Sequence, residues 1–411
     1  MFAFYRENAR WLLGGFVLTL FSAFGQTFFI SIWGEQIRET FDLTHGGFGS
    51  VYMLATLASA AVFPFVGRLV DQTSVALCST IVIVMLSAAA LSMAFINHIA
   101  LLVITIFLLR LFGQGMMGHT AITAMGRWYS ANRGKAVASV TIGHQASEAI
   151  APTLFVAFAV YYGWRGAWVL AAISLLVVAL PTVVLLMRKE RVPRSPSGDL
   201  PSPIEEGRQW TRVEVVRDPL FWLMCMGIMS PAFIGTSIWF HQDYLIDFNG
   251  WTKLTWASAF ALMAATTIAG SLLTGYAIDR WSAVQILPLF LVPLGLACLV
   301  LGSFSAVWAI YATMLLIGTS YGISSSLFGA LWPETYGVRH LGSVRALIMA
   351  FMVFSSAAGP GITGVLIDAG VSFPDQLLVI ALYCFVTAGL MLVASRKVRR
   401  RRSLELKTLN G

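Results

Sequence analysis

Four side chains in this 411-residue sequence could bind an anion or move a proton from within apolar surroundings: Arg110, His119, His144 and Glu148. Arg110 and His119 share one apolar run, and His144 and Glu148 share the next. His144 and Glu148 are four apart, so on a helix they lie on one face. A guanidinium can hold an anionic group, a carboxylate short of water can take up a proton, and an imidazole can relay one. Such groups are costly in hydrocarbon and are candidates for function by default. At about 1.5 Å per helical residue, Arg110 lies roughly 16 Å and Glu148 roughly 20 Å below the outer ends of their runs, near a bilayer midplane. An Arg110–Glu148 pair is therefore expected. Two readings of it stay open: Arg110 holds a solute's anionic group while Glu148 accepts a proton, or the two form a fixed structural ion pair. His119 and His144 share a second level nearer the inner end, as proton relays or as neutral hydrogen-bond partners. No metal site is expected of them.

The elements that must position these groups follow from composition. Hydrophobic residues make up 58% of the chain and charged residues 11%, with a mean hydropathy of +0.78. Soluble domains carry about 25% charged residues, so lipid must be the main solvent. Runs long enough to span a bilayer, about 20 residues each, fall at 11–34, 46–70, 76–95, 99–127, 135–161, 165–187, 219–241, 254–278, 284–303, 306–333, 345–367 and 374–395. The expected fold is all-α, with twelve transmembrane helices. With the N-terminus inside, 23 of the 27 Lys and Arg fall on the cytoplasmic side: Arg38, Arg165 and Lys253 fall outside and Arg110 lies within a span. That asymmetry follows the positive-inside rule and accounts for the net charge of +8 without a nucleic-acid partner. Both termini are then cytoplasmic, and the first run is a retained helix rather than a signal peptide. The basic stretch from Arg396 to Arg402 is an orientation signal with affinity for anionic membrane lipids. The four cysteines, Cys78, Cys225, Cys298 and Cys384, lie in apolar runs and read as small core residues.

The chain is also duplicated. Gly67 and Asp71 recur 208 residues later as Gly275 and Asp279; Gly134 recurs as Gly342 and Pro152 as Pro360. Phe24 and Thr27 return at a near-equal offset as Phe233 and Thr236. Two pseudo-symmetric six-helix bundles are expected, at 1–187 and 218–395, with a polar cytoplasmic linker at 188–217 and a basic tail at 396–411. Parallel repeats of this kind characterise one large transporter class. Arg110 and Glu148 have Gly318 and Ser356 at their repeat positions, so their charge is not required by the symmetry.

The two Gly-x-x-x-Asp loops resemble the signature loop between helices 2 and 3 of the major facilitator superfamily and its echo between helices 8 and 9. Gly67, Leu69 and Asp71 match the first copy, where Gln72 replaces the family's Arg; Gly275, Asp279 and Arg280 match the second. Arg110-x-x-Gly113-x-Gly115 resembles the family's Arg-bearing helix 4, and Gly163-Trp164-Arg165 the turn before helix 6. The turn from Arg127 to Ala136, and Trp332-Pro333-Glu334 with Tyr336-Gly337, are similar to the monocarboxylate and oxalate porter branches. Those branches carry an Arg in helix 8, which 254–278 lacks.

The resemblance implies secondary transport, one bundle rocking against the other around a midplane site. Proton-coupled uptake of a small organic solute, anionic or ring-bearing, is the first reading. Uptake of a neutral vitamin-like solute such as riboflavin and efflux of amphipathic compounds are the alternatives; a membrane enzyme would need more clustered ionisable groups. Substrate-binding candidates are Arg110, Gln26, Tyr52, Gln114, Trp239, His241 and Tyr321, with Gln145 and Ser325 beside them. Proton-coupling candidates are Glu148, His144 and His119. Gly67, Arg68, Asp71, Gly275, Asp279 and Arg280 are gating candidates, their carboxylates taking contacts that form in one conformation and break in the other. No cofactor or metal is expected; the partners are the solute, protons and membrane lipid, and the protein is expected to be a monomer in a bacterial inner membrane.

Overall fold

A computed structural model describes residues 2–129, 133–189, 209–337 and 339–409. Most of the expected linker, including Arg191, Arg194, Glu205 and Glu206, lies outside the described residues. All regular elements among the described residues are helical. Ten helices are long and apolar enough to cross a membrane, and a bent pair, Phe4–Gly25 with Thr27–Phe41 at 45°, makes an eleventh. One of the ten, Lys135–Met187, has 53 residues. At about 1.5 Å each these would reach roughly 80 Å, far beyond a hydrocarbon core of about 30 Å. Gly163 divides it, with φ 70°, a left-handed backbone that suits glycine. The spans among the described residues therefore number twelve.

We label them α1 (the bent pair), α2 (His45–Gln72), α3 (Val75–Phe95), α4 (Ile99–Trp128), α5 (135–162), α6 (164–187), α7 (Pro219–Phe240), α8 (Lys253–Trp281), α9 (Ala283–Ser303), α10 (Val307–Tyr336), α11 (Leu341–Asp368) and α12 (Phe373–Leu409). "Inner" and "outer" follow the orientation that the Lys and Arg distribution implies. Hydroxyl caps start several helices: Thr44 for α2, Ser74 for α3 and Thr252 for α8, each accepting a backbone N–H of the first turn. Arg165, at the start of α6, donates to Ala94 and Ile96 carbonyls at the end of α3. A cation there complements the helix dipole, which explains one of the few outer arginines.

Backbone contacts divide the chain into two compact units that cut across the expected sequence halves. The first is Met1–Gly198 with Trp239–Ala261 and Pro360–Asp368; the second is Asp199–Ile238, Leu262–Gly359 and Ala369–Gly411. In the first, α1 is held by glycines on both sides. A Cβ on Gly25 would lie 2.5 Å from Gly113 Cα of α4, and one on Gly143 of α5 would strike Phe16 O and Thr19 Oγ1. Small residues give such close approach in membranes, where packing rather than water drives helix association. Outer α2 uses the same device: Gly49 meets Pro360 O, and Gly46 N donates to Asp368 Oδ2 at 2.9 Å.

In the second unit, Gly318 and Gly322 of α10 pack on α8, against Met263 O, Thr266 and Thr267 O. Thr236 Oγ1 of α7 donates to Ser356 O of α11 at 2.9 Å. The basic tail continues α12 as helix. Arg401 pairs with Asp218 and Arg402 with Glu334, both at 2.7 Å, and Tyr336 Oη donates to Asp218 at 2.9 Å. Arg396, Lys397 and Arg399 of the same tail are exposed.

Overpacking a close helix contact costs about 1–3 kcal/mol. Gly143→Leu should therefore lower the thermal unfolding midpoint in detergent, whereas Gly126→Leu, where an added Cβ meets nothing within 4 Å, should leave it unchanged.

Candidate functional site

The site is built around the break in α1. Ser22–Gly25 forms a 3-10 turn, Gln26 is extended (φ −84°, ψ 152°), and the helix resumes at Thr27. The break leaves carbonyls without helical partners, which must be satisfied within the protein. Arg110 supplies a donor: Nη1 reaches Gly25 O at 3.1 Å and Thr27 Oγ1 at 3.3 Å. Thr27 Oγ1 also shares a 2.7 Å hydrogen bond with Tyr52 Oη of α2, and Arg110 Cζ lies 5.3 Å from the Tyr52 ring centroid. Arg110 sits within a π-helical stretch, Leu109–Met117, whose wider turn re-aims side chains. It is 2% exposed and Tyr52 is 0% exposed.

The expected Arg110–Glu148 pair does not form. Arg110 is committed to α1 and α2, and among the described residues it has no carboxylate partner; its Nε has no hydrogen bond. Glu148 instead faces His144 one turn away, at 3.6 Å between Oε1 and Nε2. The Glu148 side chain is 11% exposed and the His144 side chain 34%. The His144 ring lies 6.4 Å from that of Phe28, which meets Phe260, and Phe260 meets Trp239 at 5.0 Å. This apolar ring cluster meets the pair at the His144 ring.

The other candidates separate. Gln26 and Gln145 are half-buried and Gln114 is exposed; Gln26 and Gln114 flank the Gly25–Gly113 contact. Trp239 and His241 are both buried: Trp239 O accepts from Ser31 Oγ at 2.5 Å, and His241, which lines a small cavity with His45 and Asp243, has its Nε2 3.0 Å from Pro360 O. Tyr52 belongs to the Arg110 knot, because its hydroxyl is spent on Thr27. Tyr321 and Ser325 belong to the second unit, where Tyr321 Oη lies 3.4 Å from Pro231 O and Ser325 is exposed. His119 does not join Glu148. Its Nε2 lies 3.2 Å from Gly67 O, which places it under the first signature loop.

In that loop Arg127, at the inner end of α4, donates to Asp71 Oδ1 at 3.0 Å and to Val70 O at 2.8 Å; Arg68 is exposed. The echo is different. Asp279 is exposed and has no ion pair among the described residues, Arg280 lies over the Trp281 ring, and Gly275 has open space beside it. The repeat position of Arg127 is Thr335, which carries no charge. The neighbouring Glu334 takes over as the local acid, accepting from Ala283 N at 2.8 Å and pairing with Arg402.

One cluster escaped the sequence reading. Glu35, Asp243 and Lys253 meet at the outer ends of α1, α7 and α8: Lys253 Nζ is 2.7 Å from Glu35 Oε2 and 3.5 Å from Asp243 Oδ1, and Glu35 N donates to Asp243 Oδ2 at 2.7 Å. The available signal was the repeat itself, since Glu35 and Asp243 are 208 residues apart, as are Ser31 and Trp239.

Fold and site together define a polytopic α-helical membrane protein, duplicated in sequence, with ionisable side chains buried at mid-span. The family model of the Major Facilitator Superfamily matches residues 15–360 and 237–409, and the chain belongs to that family. It is similar to an uncharacterized MFS-type transporter, YbcL, of Bacillus subtilis (strain 168), with 27% identity over 266 residues. That match takes in 62% of this chain and 63% of the relative, so the chain spans less than two thirds of the relative's length. Solved transporter structures share the fold. A bacterial homolog of the human lysosomal transporter Spinster superposes with a TM-score of 0.73 at 14% identity, covering 96% of this chain and 98% of that one. A mutant of the nucleoside transporter NupG superposes with a TM-score of 0.65 at 13% identity, covering 93% and 99%.

The two loops should respond differently to loss of charge. Asp71→Asn and Arg127→Gln should each shift the accessibility of a cysteine placed on inner α4 or α5 in the same direction, with the double variant adding nothing to either single change. Asp279→Asn should leave the same readout in α10 or α11 unaltered.

Proposed function

We propose that the protein is a secondary transporter that couples proton movement to uptake of a small organic solute, anionic or ring-bearing, by alternating access. The observation that carries this reading is Glu148. It is a nearly buried mid-span carboxylate whose ion-pair partner, among the described residues, is His144 and not an arginine or lysine. A carboxylate in hydrocarbon has to be neutralised, by an imidazolium beside it or by a proton of its own. A change in the pair's access to water would then release or capture a proton. The exposed share of His144 gives the pair a route to water.

Arg110 supports an anionic solute, because its buried charge has no carboxylate counterion among the described residues. A neutral solute is the second reading. It is favoured by the commitment of Arg110 to Gly25 O and Thr27, and by the amides Gln26, Gln114 and Gln145, which keep hydrogen-bonding capacity without charge. We place the protein in a bacterial inner membrane as a monomer, with both termini cytoplasmic.

The test is flux into proteoliposomes under an imposed pH gradient, with a panel of mono- and dicarboxylates and neutral vitamins including riboflavin. Glu148→Gln should abolish gradient-driven accumulation while leaving solute exchange measurable. Accumulation at the parent rate in that variant would remove Glu148 as the coupling group. Arg110→Gln should cost an anionic solute much more than a neutral one.

A further inference from the structure

The Glu35–Asp243–Lys253 cluster lies apart from the Glu148 site and has a feature that a simple surface ion pair lacks. Asp243 is the inner member. Its side chain is 4% exposed, against 26% for Lys253 and 32% for Glu35. Its two oxygens are treated unequally. Oδ2 accepts the Glu35 N–H at 2.7 Å, whereas Oδ1 is buried, has no hydrogen bond, and sees the Lys253 ammonium only at 3.5 Å. The Lys253 ammonium is instead closest to Glu35, at 2.7 Å. Asp243 therefore has one buried oxygen with no protein donor closer than the Lys253 ammonium at 3.5 Å, which is costly for a buried carboxylate.

The surroundings offer little further compensation. Asp243 lies on Gln242–Asn249, between the spans α7 and α8. Arg38 and Glu35 face it from the end of α1, and Lys253 faces it from the start of α8. His45 of α2 lines the small cavity on its other side with Arg38 and His241, and Asp368 of α11 stands behind His45. Asp247 is one turn along its own helix. The neighbours also fix the geometry: Gln242 donates to Ser31 Oγ at 2.9 Å and accepts from Trp256 Nε1 at 2.8 Å, which ties the same short helix to α1 and α8.

We propose that Asp243 is a proton-operated catch on the outer ends of α1, α7 and α8, and that acid on the outer side favours the closed arrangement seen here. When these ends part, Asp243 meets water and is content as an anion. When they close, its Oδ1 is sealed in without a donor, and a proton removes the charge that has nowhere to go. Burial pushes the Asp243 carboxyl from the ordinary 3.8 up to about 6, against the opposing pull of Lys253. A group that binds its proton more tightly when closed draws the equilibrium towards closure as pH falls through that window. With 3.8 for the open state and about 6 for the closed one, the ratio of closed to open should rise about tenfold between pH 7.5 and pH 5.

The experiment is a pair of spin labels on Thr40→Cys and Leu254→Cys, both exposed sites, read as a distance distribution in lipid nanodiscs across that pH range. The four native cysteines are buried and stay in place. The long-distance component should shrink at acid pH. Asp243→Asn, a neutral mimic of the protonated acid, should show the acid distribution at both pH values. Lys253→Met should move the midpoint to higher pH, by removing the charge that favours the anion. In a Glu148→Gln background, Asp243→Asn should still remove the remaining pH response, which separates this catch from proton coupling at mid-span. A distribution unchanged by pH, a long component that grows in acid, or a response that survives in Asp243→Asn would overturn the proposal. So would loss of the response in Glu35→Gln, which would make Glu35 the titrating group.

Discussion

A guanidinium enclosed by lipid-facing helices needs acceptors, and α1 is broken where Arg110 needs them. The interruption at Ser22–Gln26 exposes the Gly25 carbonyl, and Thr27 and Tyr52 complete the shell. Much of the first unit depends on this knot. It sets where α1 bends, it requires Gly25 and Gly113 to touch so that α4 comes close enough, and it accompanies the π-helical turn that aims the side chain. With Arg110 tied to the backbone, Glu148 is left with His144. The separation of the two charges follows from what each finds nearby, since a carbonyl can satisfy a guanidinium but not a carboxylate.

The spans and the duplication were legible in the sequence because hydrocarbon imposes a length and a composition that no soluble fold imitates. The short turn at Gly163 and the ionisable residues near mid-span were legible for the same reason. The partners were not. Depth along a helix places Arg110 and Glu148 at similar levels, but the direction a side chain takes depends on helix rotation and on a break at Gln26 that no proline marks. His241 read as a polar group facing a cavity, and nothing in the sequence signalled that its ring nitrogen would also meet the Pro360 carbonyl of α11. The two Asp loops read as equals because the motif is local, whereas the partner of Asp71 comes from the far end of α4 and has no charged counterpart at Thr335.

Repeat-related residues also touch. Ser31 meets the backbone of Trp239, and the backbone of Glu35 meets Asp243, each pair at the repeat offset. The second of these contacts brings two acids together at the outer end. Lys253, whose own repeat counterpart is His45, serves both. The arrangement is stable but unequal, and the inequality gives one carboxylate properties the other lacks.

Gly318 carries the last consequence. At the position where the first repeat has its arginine, α10 lies so close to α8 that even a methyl group would collide with Met263 O and Thr266. A glycine can replace an arginine at the loss of a side chain, but an arginine cannot enter where two helix backbones already meet. Installing a charge at this position of the second half would therefore require moving a helix before changing a residue.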